Sequence, residues 1–114
     1  MDVVKFPDAP FYTLPGHEQI VARRLQGGDA SRADFAVIGH SSFPQGAVVP
    51  MDEGSIGKIY VVSEGSLTIE EAGGDRHILN AGDSIFIAAG EARAIVNESG
   101  VPAAMIVITP PAKT

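Results

Sequence analysis

The sequence predicts an all-β protein, an antiparallel barrel or a double-sheet sandwich, and three observations carry that expectation. Short segments rich in Ile, Val and Tyr recur through the second half of the chain. Glycine-bearing turns separate them at regular spacing. No segment keeps a 3.6-residue apolar period long enough for a major helix, so alternating strands and helices are not expected.

The elements follow in order. The first 16 residues, with Pro7, Pro10 and Pro15, read as an arm holding at most a short edge strand before EQIVARRL at 18–25. GGDASRAD at 27–34 reads as a turn or a short irregular helix, and FAVIGHSSF at 35–43 as a strand ended by Pro44 and Gly46. MDEGS is broken by glycine and reads as a loop or as a strand on which Asp52 and Glu53 face opposite ways. Six strands then follow: KIYVVS at 58–63, SLTIEE at 66–71, RHILN at 76–80, SIFIAA at 84–89, ARAIVN at 92–97 and AAMIVIT at 103–109. Their separators are EG, AGG, AGD, AGE and ESGVP, and PPAKT reads as a loose tail.

YVV and MIVI are apolar at consecutive positions, so both faces of those strands need cover. One face lines the barrel; the other packs on a second sheet or a second subunit. A homodimer is the expectation.

The 114 residues fit one domain, 1–114, with one hydrophobic core. With no cysteine, disulfides and thiolate metal sites are excluded. The N-terminal stretch lacks a basic segment followed by an apolar core, and no run approaches the roughly 18 to 20 apolar residues that span a bilayer. A cytoplasmic setting is expected. The net charge of −6 and the scattered Lys and Arg argue against nucleic acid and against anionic membrane. No phosphate loop, nucleophile elbow or calcium loop is present, and Ser41 and Ser42 beside His40 make no triad because neighbours in a strand point apart.

Two glycine-framed segments, GAVVPMDEGSIGKIYVVSEG from Gly46 to Gly65 and GDSIFIAAGEARAIVN from Gly82 to Asn97, set the architecture more closely. In order and spacing they resemble the two motifs of the cupin family, which implies a cupin-type antiparallel β-barrel, a double-stranded jelly roll related to the RmlC-like barrels. The resemblance also shows a departure. Where cupins place metal-binding histidines in the first motif, this chain has Asp52 and Gly54; the glutamate position holds Lys58; the histidine of the second motif is Arg93, and its proline is Ala88. No cofactor is expected.

Strand alternation puts Lys58, Tyr60 and Val62 on one face, and the cupin register turns that face toward the cavity with Arg93 entering from the second motif. Protonated Lys and Arg do not ligate a divalent metal, but they can hold a carboxylate, an enolate or another oxyanion. Lys58 then pairs with Asp52 or Glu53, binds an anion or carries a lowered pKa; otherwise it is a strand-end lysine reaching water. Arg93 is either a carboxylate clamp or a partner of Glu91, Asp52 or Glu53. Tyr60 is a donor to ligand or a core tyrosine. His40 is a general base, a surviving metal ligand or neither; Asp52 is a general base or part of a solvated loop. His17 and His77 carry weaker signals.

The leading expectation is a metal-independent enzyme of lyase, isomerase or cyclase type acting on a carboxylated or enolisable small molecule, with Arg93 and Lys58 holding the acid, Tyr60 donating, and His40 or Asp52 moving the proton. A small-anion binding or sensing module without catalysis is one alternative. A dioxygenase-like metal site using His40 and Asp52 is another.

Overall fold

The computed structural model of the protein describes residues 1–112; Lys113 and Thr114, the end of the expected tail, lie outside the described residues. The strands are β1 (Phe11–Tyr12), β2 (Val21–Gln26), β3 (Val37–Phe43), β4 (Val48–Glu53), β5 (Lys58–Glu64), β6 (Ser66–Glu71), β7 (Arg76–Asn80), β8 (Ser84–Ile87), β9 (Ala92–Val96) and β10 (Ala103–Thr109). A 3-10 turn at Phe6–Asp8 precedes them, with Pro7 in its first positions, where a fixed φ and a missing N–H cost nothing.

The strands build two antiparallel sheets, in the orders β1-β2-β3-β10-β5-β8 and β4-β9-β6-β7. The chain crosses repeatedly between them, as in a jelly roll. Their inner faces enclose a core that includes Phe43, Val49, Val62, Leu67, Ile69 and Ile95. The punctuation of the sequence explains the agreement with the expected elements, since each strand from β5 to β9 is followed by a glycine-bearing turn and β10 by Pro110 and Pro111.

One alternative left open by the sequence is decided. MDEGS is not all loop, because β4 runs through Glu53 and pairs with β9. The pairing shifts register between Val49 and Asp52, across Pro50, which has no N–H for the ladder. The proline that obscures the strand in the sequence is accommodated by that irregularity.

Asn97, the last residue of the second motif, is 1% exposed. Its side-chain amide donates to the carbonyls of Phe43 (3.1 Å), Pro44 (3.2 Å) and Val101 (2.7 Å), and its oxygen accepts from the Ser99 amide (3.2 Å) and hydroxyl (2.7 Å). It thus ties the end of β3 to the turn between β9 and β10. The motif asparagine is a structural clasp.

The two faces of the six-stranded sheet differ. Inward, Tyr60, Val62 and Met105 are buried against the second sheet. Outward, Ile38, Ile108, Ile59 and Phe86 stand in register across β3, β10, β5 and β8. Ile59 remains 39% and Phe86 67% exposed.

Candidate functional site

A cavity of about 270 Å³ opens between the sheets. Its floor is the inner face of β2, β3, β10 and β5, Arg93 enters from β9, and the segment from Tyr12 to His17 forms a wall. Among its lining residues there is no Asp or Glu.

Lys58, Tyr60 and Arg93 come together here. Tyr60 is 2% and Arg93 7% exposed, and the Arg93 Nε–H donates to the Tyr60 hydroxyl oxygen at 2.9 Å. That contact leaves the phenolic proton free for a ligand. The Arg93 Nη1 is buried and has no hydrogen-bond partner. Among the described residues no carboxylate lies within ion-pairing distance of Arg93 or Lys58. The internal salt bridges that would have explained these cations are therefore not formed.

Lys58 opens β5 on its inner face. Its ammonium occupies space that a side chain at position 54 would claim: a Cβ on Gly54 would stand 2.8 Å from the Lys58 Nζ. A side chain at 54 would therefore displace the flexible end of Lys58 from its present position. Burial, and secondarily the Arg93 charge, holds the Lys58 pKa below that of an ordinary lysine, against an opposing pull from Asp52.

His17 is the site residue that the sequence ranked too low. It sits between two turns, its amide donating to the Leu14 carbonyl and its carbonyl accepting from the Ile20 amide, and it lines the cavity. Burial first, then the charges of Arg93 and Lys58, hold its pKa below the usual histidine value, with Glu18 and Asp52 pulling the other way. Burial and the two cations thus favour the neutral imidazole, the form that can accept a proton. Tyr12 and Arg24 also line the cavity. Arg24 was legible in part, because in VARRL one of two adjacent arginines must share the face of Ala22; nothing local marked His17, which tertiary packing delivers.

His40 is placed elsewhere. Gly39 and Ser41 face the cavity, so alternation along β3 turns His40 to the outer side, where its ring meets Phe6 edge-on at 4.9 Å. Its role as a cavity base is corrected on that ground. Asp52 pairs in register with Arg93 but stands exposed, its Oδ1 accepting from the Glu53 amide, and it does not line the cavity. Glu53 is exposed as well. His77 lies on the other sheet, 2.6 Å from Glu71, in a second pocket that also touches Glu91 and Arg93.

These positions do not fit a divalent metal. The family's ligand positions carry Asp52, Gly54, Lys58 and Arg93, and among the described residues no three of His, Cys, Asp and Glu gather as donors. His40 is on β3 and Asp52 on β4, in different sheets, and neither lines the cavity. Buried Arg93 and half-buried Lys58 stand at two of the family's ligand positions as cations.

Residues 39–109 match Cupin_2, the cupin domain. The chain belongs to the cupin family. Over 107 residues this cupin is 30% identical to the Beta-D-galactosidase Rv1717 of Mycobacterium tuberculosis, covering 94% of this chain and 91% of that one. Among solved structures it resembles the polyketide cyclase RemF from Streptomyces resistomycificus, with a TM-score of 0.84 at 23% identity over 96% of this chain and 79% of the other. An RmlC-like cupin from Shewanella frigidimarina superposes with a TM-score of 0.78 at 17% identity, covering 97% and 91%. At such identities the two structures share its fold. No helix of the described residues is long and apolar enough to cross a membrane.

Proposed function

We propose that this cupin binds a small carboxylated molecule in the cavity and turns it over without a metal, by isomerase, lyase or cyclase chemistry that passes through an enolate. The observation that carries the reading is Arg93: a guanidinium 7% exposed, with a buried Nη1 that no protein atom satisfies, in a cavity without a carboxylate. Such a group calls for an anionic partner.

Arg93 holds the acid and Lys58 faces the carbonyl whose oxygen becomes negative. The neutral His17 imidazole takes the proton from the carbon beside that carbonyl, the C–H electron pair moves onto the oxygen as an enolate, and Tyr60 with Lys58 stabilises the charge. Return of the proton to another carbon isomerises the molecule, loss of a leaving group makes the step a lyase, and attack on an internal carbonyl closes a ring. A small-anion sensor would use the same Arg93 and Lys58 with no proton transfer.

Deuterium exchange separates the two. In D₂O, an oxo acid that binds is expected to exchange its α-hydrogens, read by proton NMR, and Lys58→Met is expected to slow exchange by about a hundredfold or more, within the range of one oxyanion donor. Exchange should persist in a chelator. Acids that bind but never exchange would leave a binding module.

Glycoside hydrolysis is a second reading, prompted by the mycobacterial relative's name. It ordinarily uses two carboxylates. Glu71 and Glu91 line the second pocket, but Glu71 is engaged with His77 and Glu91 accepts from the Ala88 amide at 2.8 Å. Loss of β-galactoside hydrolysis in Glu71→Gln or Glu91→Gln, with Lys58→Met unaffected, would favour it over the enolate reading.

The proposal includes a homodimer. The row of Ile38, Ile108, Ile59 and Phe86 lies on the outer side of the six-stranded sheet, where a second copy would bury it. Sedimentation is expected to give a dimer that Phe86→Glu converts to monomer; a wild-type monomer at high concentration would refute it.

A further inference from the structure

The cavity has a second cationic end, where an arginine again meets a tyrosine. Arg24, Gly39, Val107 and Tyr60 lie in one register row across β2, β3, β10 and β5. At one end the Tyr60 hydroxyl meets Arg93. At the other the Arg24 guanidinium stacks on the Tyr12 ring, Cζ 4.4 Å from its centroid. Gly39 makes room for Tyr12: a Cβ there would stand 2.5 Å from the Tyr12 hydroxyl oxygen, so that hydroxyl lies directly over the glycine. Val107 supplies the apolar middle. Each arginine retains one buried N–H without a hydrogen-bond partner, Nη1 on Arg93 and Nε on Arg24. Asp29 is the nearest acid to Arg24, but its Oδ1 is 3.8 Å from Nε, beyond hydrogen-bond distance, and its side chain is 64% exposed.

We propose that the ligand carries two acidic groups, one bound by each Arg–Tyr pair, joined by a short, mainly hydrocarbon stem over Val107. This inference rests on the acid-binding reading of the Arg93 end and assigns the other end. The backbones of Arg24 and Tyr60 are three strand spacings apart, about 14 Å. Two long side chains reach inward from those positions, which leaves room for a stem of a few carbons. Asp29 acts as the placeholder that Arg24 exchanges for the second acid group.

The test is calorimetric titration of the full chain with the dicarboxylates succinate, glutarate, adipate and pimelate, each against the monocarboxylate of equal length. At least one dicarboxylate is expected to bind about ten- to a hundredfold more tightly than its monocarboxylate, the ratio supplied by one charge-assisted hydrogen bond. Arg24→Met and the gentler Arg24→Gln should each bring the dicarboxylate down to the monocarboxylate's affinity, with melting curves confirming that the variants fold. Asp29→Asn should strengthen the dicarboxylate by removing its competitor. A preference that survives both Arg24 variants overturns the proposal. Equal affinity for both acids in the wild type, still lost in Arg93→Met, overturns the second end and leaves the acid-binding reading standing; failure of every acid to bind removes both.

Discussion

Arg93→Met is expected to weaken the binding of any small carboxylate by about 2–5 kcal/mol, the range measured when one partner of a buried charged pair is truncated, and to leave the protein at least as stable. The two effects share a cause. A guanidinium 7% exposed, with a buried N–H that nothing accepts, bears a desolvation cost that no internal ion pair offsets. Methionine has similar reach and no charge, so it removes that cost; the Tyr60 hydroxyl loses one donor in exchange. The melting temperature should hold or rise while acid binding disappears.

The same variant reports on His17. Arg93 is the leading charge that holds the imidazole pKa down, after burial. Removing it should shift the His17 titration upward in NMR spectra, since imidazolium no longer faces that cation. The linkage has a definite sign. A folded-state pKa below 6.5 means that the unfolded chain takes up the proton first, so the stability associated with neutral His17 is full above 6.5 and declines as pH falls from there toward the folded value. Arg93→Met should narrow that window. A melting temperature many degrees lower, unchanged acid affinity and an unmoved His17 titration would together show that Arg93 is a structural residue.

Asn97→Ala is expected to destabilise the fold by roughly 3–5 kcal/mol, because it removes the five hydrogen bonds of a fully buried side chain at about 0.5–1.5 kcal/mol each, while the Pro44 and Val101 carbonyls keep the Ala47 amide and the Ser99 hydroxyl as donors. Against a total of about 5–15 kcal/mol for a domain of this kind, that is a large fraction. It corresponds to a fall of roughly 10–20 °C in melting temperature. Asn97→Asp should be no milder, since it keeps the acceptor toward Ser99 and loses the amide donors to Phe43, Pro44 and Val101. Thermal denaturation followed by circular dichroism measures both. A change of less than about 2 °C for either would mean that the clasp is not what joins β3 to the β9–β10 turn.

Set side by side, the two residues show how differently motif positions behave. Asn97 matches the cupin pattern and carries structure; Arg93 departs from it and carries the candidate chemistry. The glycine frame survives because glycine turns are needed whatever the cavity holds, whereas the ligand positions depend on the cavity's chemistry. Lys58 and Tyr60 were readable as cavity residues because period-2 alternation assigns a face as soon as the strand is known. The same rule misled at His40 only because the inward face of β3 was not known, and one residue of register exchanges the two faces.

The sequence by itself determined the strands from β5 to β10, the turns between them, the cupin architecture and the replacement of metal ligands by cations. These follow from local properties: side-chain branching, glycine conformational freedom and the order of residues along one chain. Tertiary structure alone decided that β4 pairs across Pro50, that His40 lies outside and His17 inside, that Arg93 finds a tyrosine and no carboxylate, and that Arg24 closes the far end of the cavity. Each of those depends on contacts between residues far apart in the chain, and such contacts are set by how two sheets stack and register.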